Sequence, residues 1–293
     1  MNYEYTIKIS DESKLQGIKY IEGSATDLAD LIKYVECAEQ FTELIDWYRL
    51  FKYLYKKVME MRGGIPERIT INAFTIELLS AGRCISEGLD VFSKIFLSEA
   101  DYQSFHSKFI SEVYDTSFCY RFCSFLRDYS QHGHFPVSCT DDNICFNILQ
   151  IKNVQHFNMK RKIDEDCENL SRLIGEKAKD IPKLAYFPII VEYACIITRM
   201  VYNYLTSFQE LVSSQMVFLR RIMEEDPLLI NHGIKEVEGL LFFVVTESPN
   251  NLHAVDTRSD GEEKLKEALA EVELDLKEME QKLNEERSQM TPL

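Results

Sequence analysis

An arginine and a histidine five residues apart, Arg127 and His132 in the segment RDYSQH, are the pair in this 293-residue sequence best suited to chemistry. The guanidinium is a permanent cation whose forked donors match phosphate. The imidazole exchanges protons near neutral pH, and a helix C-terminus beneath it favours the protonated form. A cation on a phosphodiester with a general acid or base beside it is the minimum for metal-independent RNA cleavage, the RNA's own 2′-hydroxyl being the nucleophile. Asp128 and Tyr129, next to the arginine, are placed to orient these groups. Spacing alone is uninformative. At ~100° per residue, five positions leave the two side chains about 140° apart on an intact helix. They converge only where the helix ends, and Gly133 stands where a terminating glycine belongs. Arg and His near a helix end are also ordinary capping residues. His134 is a rival partner for Arg127, and His132 is preferred because His134 follows the helix-breaking Gly133.

Other clusters carry less. Asp141, Asp142 and Asn143 lack the further oxygen ligands that a calcium loop needs, so a solvated turn is expected. None of the eight cysteines forms a CxxC pair, and Cys119 and Cys123 have no matching pair at zinc spacing. They read as reduced core thiols. Arg62-Gly63-Gly64-Ile65-Pro66 lacks the Lys-Ser/Thr of a phosphate loop and reads as a helix stop. Lys160, Arg161 and Lys162 form the one notable basic run, a contact for RNA phosphates or a solvated helix start. His156 has no paired ligand nearby, Asn231-His232-Gly233 reads as a turn, and Glu77 and Glu87 either face Arg127 or sit on the surface. No cofactor and no metal are expected.

Long helices must position the Arg–His pair. Apolar residues recur at helical spacing from Thr26 to Met61, where Gly63, Gly64 and Pro66 intervene. A second helix is expected from Ile71 to Phe96 and a third, capped by Ser98, from Glu99 to His132. With almost no loop between them, these two should form an antiparallel hairpin. Residues 4–9 alternate as a strand does, as do Ile144, Phe146 and Ile148. A charged helix over 159–179 and a long apolar one over 187–223 follow. After them come an apolar strand at 239–247, a turn at 248–251 and a polar linker at 254–262. The last helix, 262–287, carries Leu265, Leu269, Val272, Leu276, Met279 and Leu283 at heptad spacing.

The expected fold is therefore mainly α, an antiparallel helical bundle with a few short strands and a charged C-terminal heptad helix. Its segments are a lead-in over 1–25, a helical domain over 26–158, a second helical and short-strand region over 159–253, and a linker with the acidic helix over 254–293. The formal net charge of −15 argues against broad, sequence-independent nucleic-acid binding. The last 35 residues contribute 11 acidic and 5 basic side chains to it. The N-terminus shows no charged-then-apolar leader, and no apolar run reaches the ~20 residues of a membrane span. A cytoplasmic location is expected.

The stretch FLRDYSQHGHFPV, Phe125 to Val137, resembles the HEPN family (higher eukaryotes and prokaryotes nucleotide-binding). That family is marked by Arg, four to six residues, then His on the third helix of a bundle, with a polar residue directly after the Arg. Here Asp128 takes that polar place. The resemblance covers residues 70–137 and implies a metal-independent endoribonuclease that acts as a homodimer with two motifs in one cleft. Many members serve as toxins or in phage defence, which implies an antitoxin or defence-system partner. It makes Arg127, His132 and Asp128 the catalytic set, with His134 and Tyr129 auxiliary. The alternative is a non-catalytic helical scaffold with a degenerate bundle of this kind, to which the acidic balance and the heptad helix would be suited.

Overall fold

The apolar periodicity of the sequence becomes helix through most of the chain. The computed structural model describes residues 3–9, 19–23, 25–64, 66–140, 143–152, 154, 162–167, 183–225, 240–245, 252–256 and 260–289. Side chains are described within 41–64, 66–139, 144–152, 154, 162–167, 183–209 and 264–288. The elements in chain order are β1 (Tyr3–Ile9), β2 (Lys19–Gly23), α1 (Ala25–Glu60), α2 (Arg68–Phe96), α3 (Glu99–Phe105), a π-turn (His106–Ser111), α4 (Glu112–Thr116) and α5 (Phe118–Gln131). After these come β3 (Val137–Thr140), β4 (Asn143–Asn147), α6 (Ile148–Lys152), a short helix α7 (162–167), β5 (Lys183–Ala185), α8 (Tyr186–Glu225), β6 (Leu240–Val245), β7 (Leu252–Asp256) and α9 (Asp260–Gln289). No described helix is long and apolar enough to cross a membrane.

Two compact units share the chain. The first comprises residues 1–43 and 204–271. Its sheet is antiparallel, in the order β2-β1-β6-β7, with Tyr5 paired to Ile21 on one side and to Val244 on the other. The second comprises residues 44–203 and 272–293 and holds the Arg127–His132 segment. Both units draw on stretches far apart in sequence, so they cut across the sequence segments 26–158 and 159–253.

The core of the second unit is aromatic. Tyr48, Phe51, Phe122, Phe146, Tyr186 and Tyr193 are all buried, each removing roughly 150–250 Å² of ring surface from water. Phe122 meets Phe146 edge-on at 5.4 Å between centroids, and Tyr193 touches both Phe51 and Tyr120. Gly82 explains how α8 comes so close to α2. A Cβ built at that position would lie 2.2 Å from the Tyr193 hydroxyl oxygen, so only hydrogen fits.

The expected hairpin forms. Going up the chain after Ser98, partners on α2 run backward: Tyr102 bonds Asp90, Tyr120 lies beside Ser86, and Val137 bonds Asn72. Its second arm is not the single helix expected over 99–132. A π-turn interrupts it, and at Ser117 the backbone becomes extended (φ −96°, ψ 115°). Ser117 then caps α5, accepting the Tyr120 N–H at 3.2 Å. A serine at an N-cap satisfies an otherwise orphan donor, which is why the restart falls there. Arg121 holds the break. It is 4% exposed, donates to the carbonyls of Tyr114 and Asp115 at 2.6 and 2.7 Å, and pairs with Asp166 on α7.

The extended segment after Pro136 forms a three-stranded antiparallel sheet, β3-β4-β5, in which Phe146 pairs with Val137 and Leu184. Only 162–167 of the charged helix expected over 159–179 is described, and it is helical. The linker expected over 254–262 is strand as far as Asp256 and helix from Asp260. The turn at 248–251 lies outside the described residues, as do His156, Lys160, Arg161, Asp141, Asp142 and Asn231-His232-Gly233.

On α9 the buried stripe is Leu265, Ala268, Val272, Asp275, Met279, Leu283 and Glu286. This is rotated from the expected seam, because Leu269 and Leu276 are only half-buried. Polar anchoring accounts for the rotation. Asp275 accepts from the Tyr48 hydroxyl at 2.9 Å and pairs with Lys52 at 2.6 Å, while Glu286 pairs with Arg62. The C-terminal part of this seam packs into the chain's own second unit, with Met279 accepting a 3.1 Å bond from Thr198.

Candidate functional site

α5 is amphipathic, and its apolar face fixes what its other face presents. Cys119, Phe122, Cys123, Phe125, Leu126 and Tyr129 are buried. The opposite side carries Arg127, Asp128, Ser130 and Gln131, which are half-buried or exposed. The Arg127 side chain is 26% exposed. Its Nη1 donates to Gln131 Oε1 at 2.6 Å and to Asp128 Oδ1 at 3.3 Å. Its Nε is buried and has no hydrogen-bond partner among the described residues. An unmet buried donor is uncommon and calls for an explanation.

The helix stops as the sequence implies. His132 is the C-cap residue, and its N–H reaches the Asp128 carbonyl at 3.3 Å. Gly133 has φ +85°, and its N–H reaches the Ser130 carbonyl at 3.0 Å. A Cβ at Gly133 would touch nothing within 4 Å. Glycine is required there by its left-handed backbone rather than by crowding. His132 is exposed at this end.

The remaining candidates are distributed differently. Tyr129 is 1% exposed and faces the core, and burial pushes its phenol pKa up. The His134 ring lies against it, 4.9 Å between centroids. Asp128 is thus brought to Arg127, and His134 to Tyr129. No hydrogen bond among the described residues joins Arg127 to His132 or His134. Glu87 pairs with Arg83 at 2.7 Å, and Glu77 is exposed. Lys162, the described member of the basic run, pairs with Asp115 at 2.8 Å and holds that carboxyl below its usual range.

Three positions outside the predicted set shape this surface. Gln131 fixes the arginine head. Asn72, fully buried on α2, donates to the Val137 carbonyl at 2.9 Å and accepts the Val137 N–H at 2.8 Å. It pins the chain five residues after His132. An asparagine inside the otherwise apolar stripe of Ile71, Leu78 and Leu79 is the signal that marks it. Arg68 lies over the Phe135 ring at 5.6 Å and steadies the same segment.

Cys119, Cys123, Cys145, Cys167 and Cys195 are buried free thiols, Cys139 is half-buried and Cys84 exposed. Desolvation raises the pKa of both Cys119 and Cys123 well above the usual thiol range. Buried thiols held protonated are poor nucleophiles. Among the described residues, no three His, Cys, Asp or Glu side chains converge as a metal site. One cleft of about 230 Å³ is lined by Glu192, Arg199 and Arg287, and another of about 280 Å³ by Arg83, Ser111 and Tyr114. Arg127 and His132 line neither of these two clefts. Comparison with protein-family models, with curated proteins and with solved structures finds no match to this chain.

Proposed function

We propose that this protein is a metal-independent endoribonuclease of the HEPN type. The observation that carries the proposal is the state of Arg127. Its head group is held at the surface by Gln131 and Asp128, while its buried Nε has an unmet donor. A phosphodiester oxygen would replace Gln131 as the acceptor at Nη1, on the exposed side of the group. His132, exposed at the Gly133-terminated end, takes the proton of the RNA 2′-hydroxyl as the 2′-oxygen attacks phosphorus. The phosphorus–O5′ bond breaks and the departing 5′-oxygen takes that proton back from His132, leaving 2′,3′-cyclic phosphate and 5′-hydroxyl ends. The proposal includes a second copy of the chain that closes over the site as a homodimer, as the resemblance to the HEPN family implies. A toxin or defence role, with an antitoxin or defence-system partner, belongs to the same proposal.

The test is incubation with mixed RNA in EDTA, using the native protein, Arg127→Ala and His132→Ala. Each substitution should slow cleavage by about 10²–10⁴-fold, and His134→Ala by much less. RNA left intact by the native protein, or cut equally well by both variants, would sink the proposal. The scaffold alternative loses part of its support, because the C-terminal half of the heptad seam is occupied within the chain.

A further inference from the structure

A second group of reactive side chains lies on the same hairpin, away from Arg127. Ser111 Oγ is 3.2 Å from His106 Nδ1. On the far side of the ring, His106 Nε2 is 3.7 Å from Asp90 Oδ1. The Tyr102 hydroxyl donates to that same Asp90 oxygen at 3.2 Å. A hydroxyl, an imidazole and a carboxylate in line are the parts of a nucleophile, its base and the group that orients the base. The ring is turned end for end relative to the common serine-hydrolase arrangement. Either imidazole nitrogen can accept a proton while the other carries one, so the chemistry is preserved.

The backbone accounts for the meeting of His106 and Ser111. On a regular α-helix, residues five apart point about 140° away from each other. Here 106–111 is a π-turn, and the Glu112 N–H reaches back five residues to the Ser107 carbonyl. Such single widened turns are rare and concentrate at functional sites. Asp90 comes from the other arm of the hairpin. None of the three polar groups is sealed in the core, His106 and Asp90 being 36% and 38% exposed.

Ser111 also lines the cleft of about 280 Å³, together with Arg83, Ile110, Tyr114, Tyr120 and Asp115, whose carboxylate is paired with Lys162. Arg83 uses Nε and Nη2 on Glu87. Its Nη1 makes no hydrogen bond among the described residues, so one donor remains for an anion. That volume sits just under the usual range of about 300–1,000 Å³ for ligand pockets, and a short occupant suits it.

We propose that Ser111, His106 and Asp90 form a reactive centre that hydrolyses short esters whose acyl chain ends in a carboxylate, with Arg83 receiving that carboxylate. Ser111 Oγ bonds to the ester carbonyl carbon as its proton passes to His106 Nδ1. The carbon–alkoxy bond breaks, and the alcohol leaves with that proton. Water then attacks the acyl-serine, giving up a proton to His106. The Oγ–acyl bond breaks, Oγ regains the proton, and the free acid departs. Asp90, 3.7 Å from Nε2, is a positioning residue that closes on the ring once the ring carries the proton.

The full chain is treated with a fluorophosphonate probe, whose phosphorus is attacked by a serine oxygen as fluoride leaves, and the adduct is located by peptide mass spectrometry. The adduct is expected on Ser111. It should be absent from Ser111→Ala and present in Ser107→Ala, which removes the exposed neighbouring hydroxyl. Turnover is read with p-nitrophenyl hemisuccinate and p-nitrophenyl acetate. His106→Gln should lower kcat by about 10²–10⁴-fold, and Asp90→Asn should lower kcat while leaving KM within twofold. Arg83→Gln should raise KM about tenfold for the hemisuccinate only. No adduct on the native protein, or an adduct on a residue other than Ser111, overturns the proposal whatever the stability of the variants. So does an Asp90→Asn effect confined to KM.

Discussion

Asn72 illustrates what a single residue contributes to the Arg–His surface. It satisfies both backbone groups of Val137 from a fully buried position. Asn72→Leu would leave two buried polar groups unpaired, at about 1–3 kcal/mol each. A drop of about 3 kcal/mol in urea unfolding is expected, together with a rise in hydrogen exchange at 134–137. Gly133→Ala is a gentler change. There is room for its methyl group, but φ of +85° costs a side chain about 1–2 kcal/mol. Its unfolding midpoint should fall accordingly, and Gly133→Asn should recover part of the loss. At this scale the helix stop was legible, because Gly133 announces it. The role of Gln131 was not, because a hydrogen bond between side chains four apart follows from rotamers that spacing leaves open. Tyr129 stands near Arg127 in the chain, yet each step along a helix turns a side chain ~100° and, here, into the core.

Among the elements, the hairpin of α2 with its successor followed from two apolar periodicities separated by Leu97 and Ser98. The break at Ser117 did not, since its cause is a buried arginine on the next turn binding carbonyls of the preceding one. Arg121 reads in the sequence as one more surface cation. The C-terminal helix shows the same limitation. A heptad of leucines fixes the period of a buried stripe, but the choice between Leu276 and Asp275 as its inward member is made by Tyr48 and Lys52. Asp275→Ala should cost about 2–3 kcal/mol in urea unfolding, below the usual 3–5 for a broken buried pair. The reason is that the Lys52 side chain keeps 20% exposure and can turn its ammonium group to water.

For the whole molecule, the mainly helical class was evident from periodicity. The composition of the second unit was not, because residues 44–203 are completed by 272–293, a pairing no local pattern encodes. A fragment of 26–158 lacks Tyr186, Ile190, Tyr193 and Val272, all in the core. It should show no cooperative thermal transition by circular dichroism. The aromatic core also sets an alkaline limit. Desolvation, with Glu286 second, pushes the Tyr55 pKa up to about 12, and burial raises those of Tyr186 and Tyr193. An unfolded tyrosine ionises near ~10. Between these values the unfolded chain has released protons that the folded one keeps, so these tyrosines make stability fall as pH rises from about 10 to 12 and add no pH dependence below that window. Urea midpoints at pH 9 and pH 11 should differ, and Tyr55→Phe should narrow the difference.

The contact between Gly82 and Tyr193 reaches beyond this one chain. Because the Tyr193 ring occupies the space a methyl group would need, the two positions form a lock whose halves can be exchanged only together. Gly82→Ala alone should cripple folding, and pairing it with Tyr193→Leu should restore much of the loss. In any lineage carrying this fold, a side chain at the first position should be inherited with a smaller one at the second. The pair is thus a historical marker, able to reveal kinship after the residues around it have diverged.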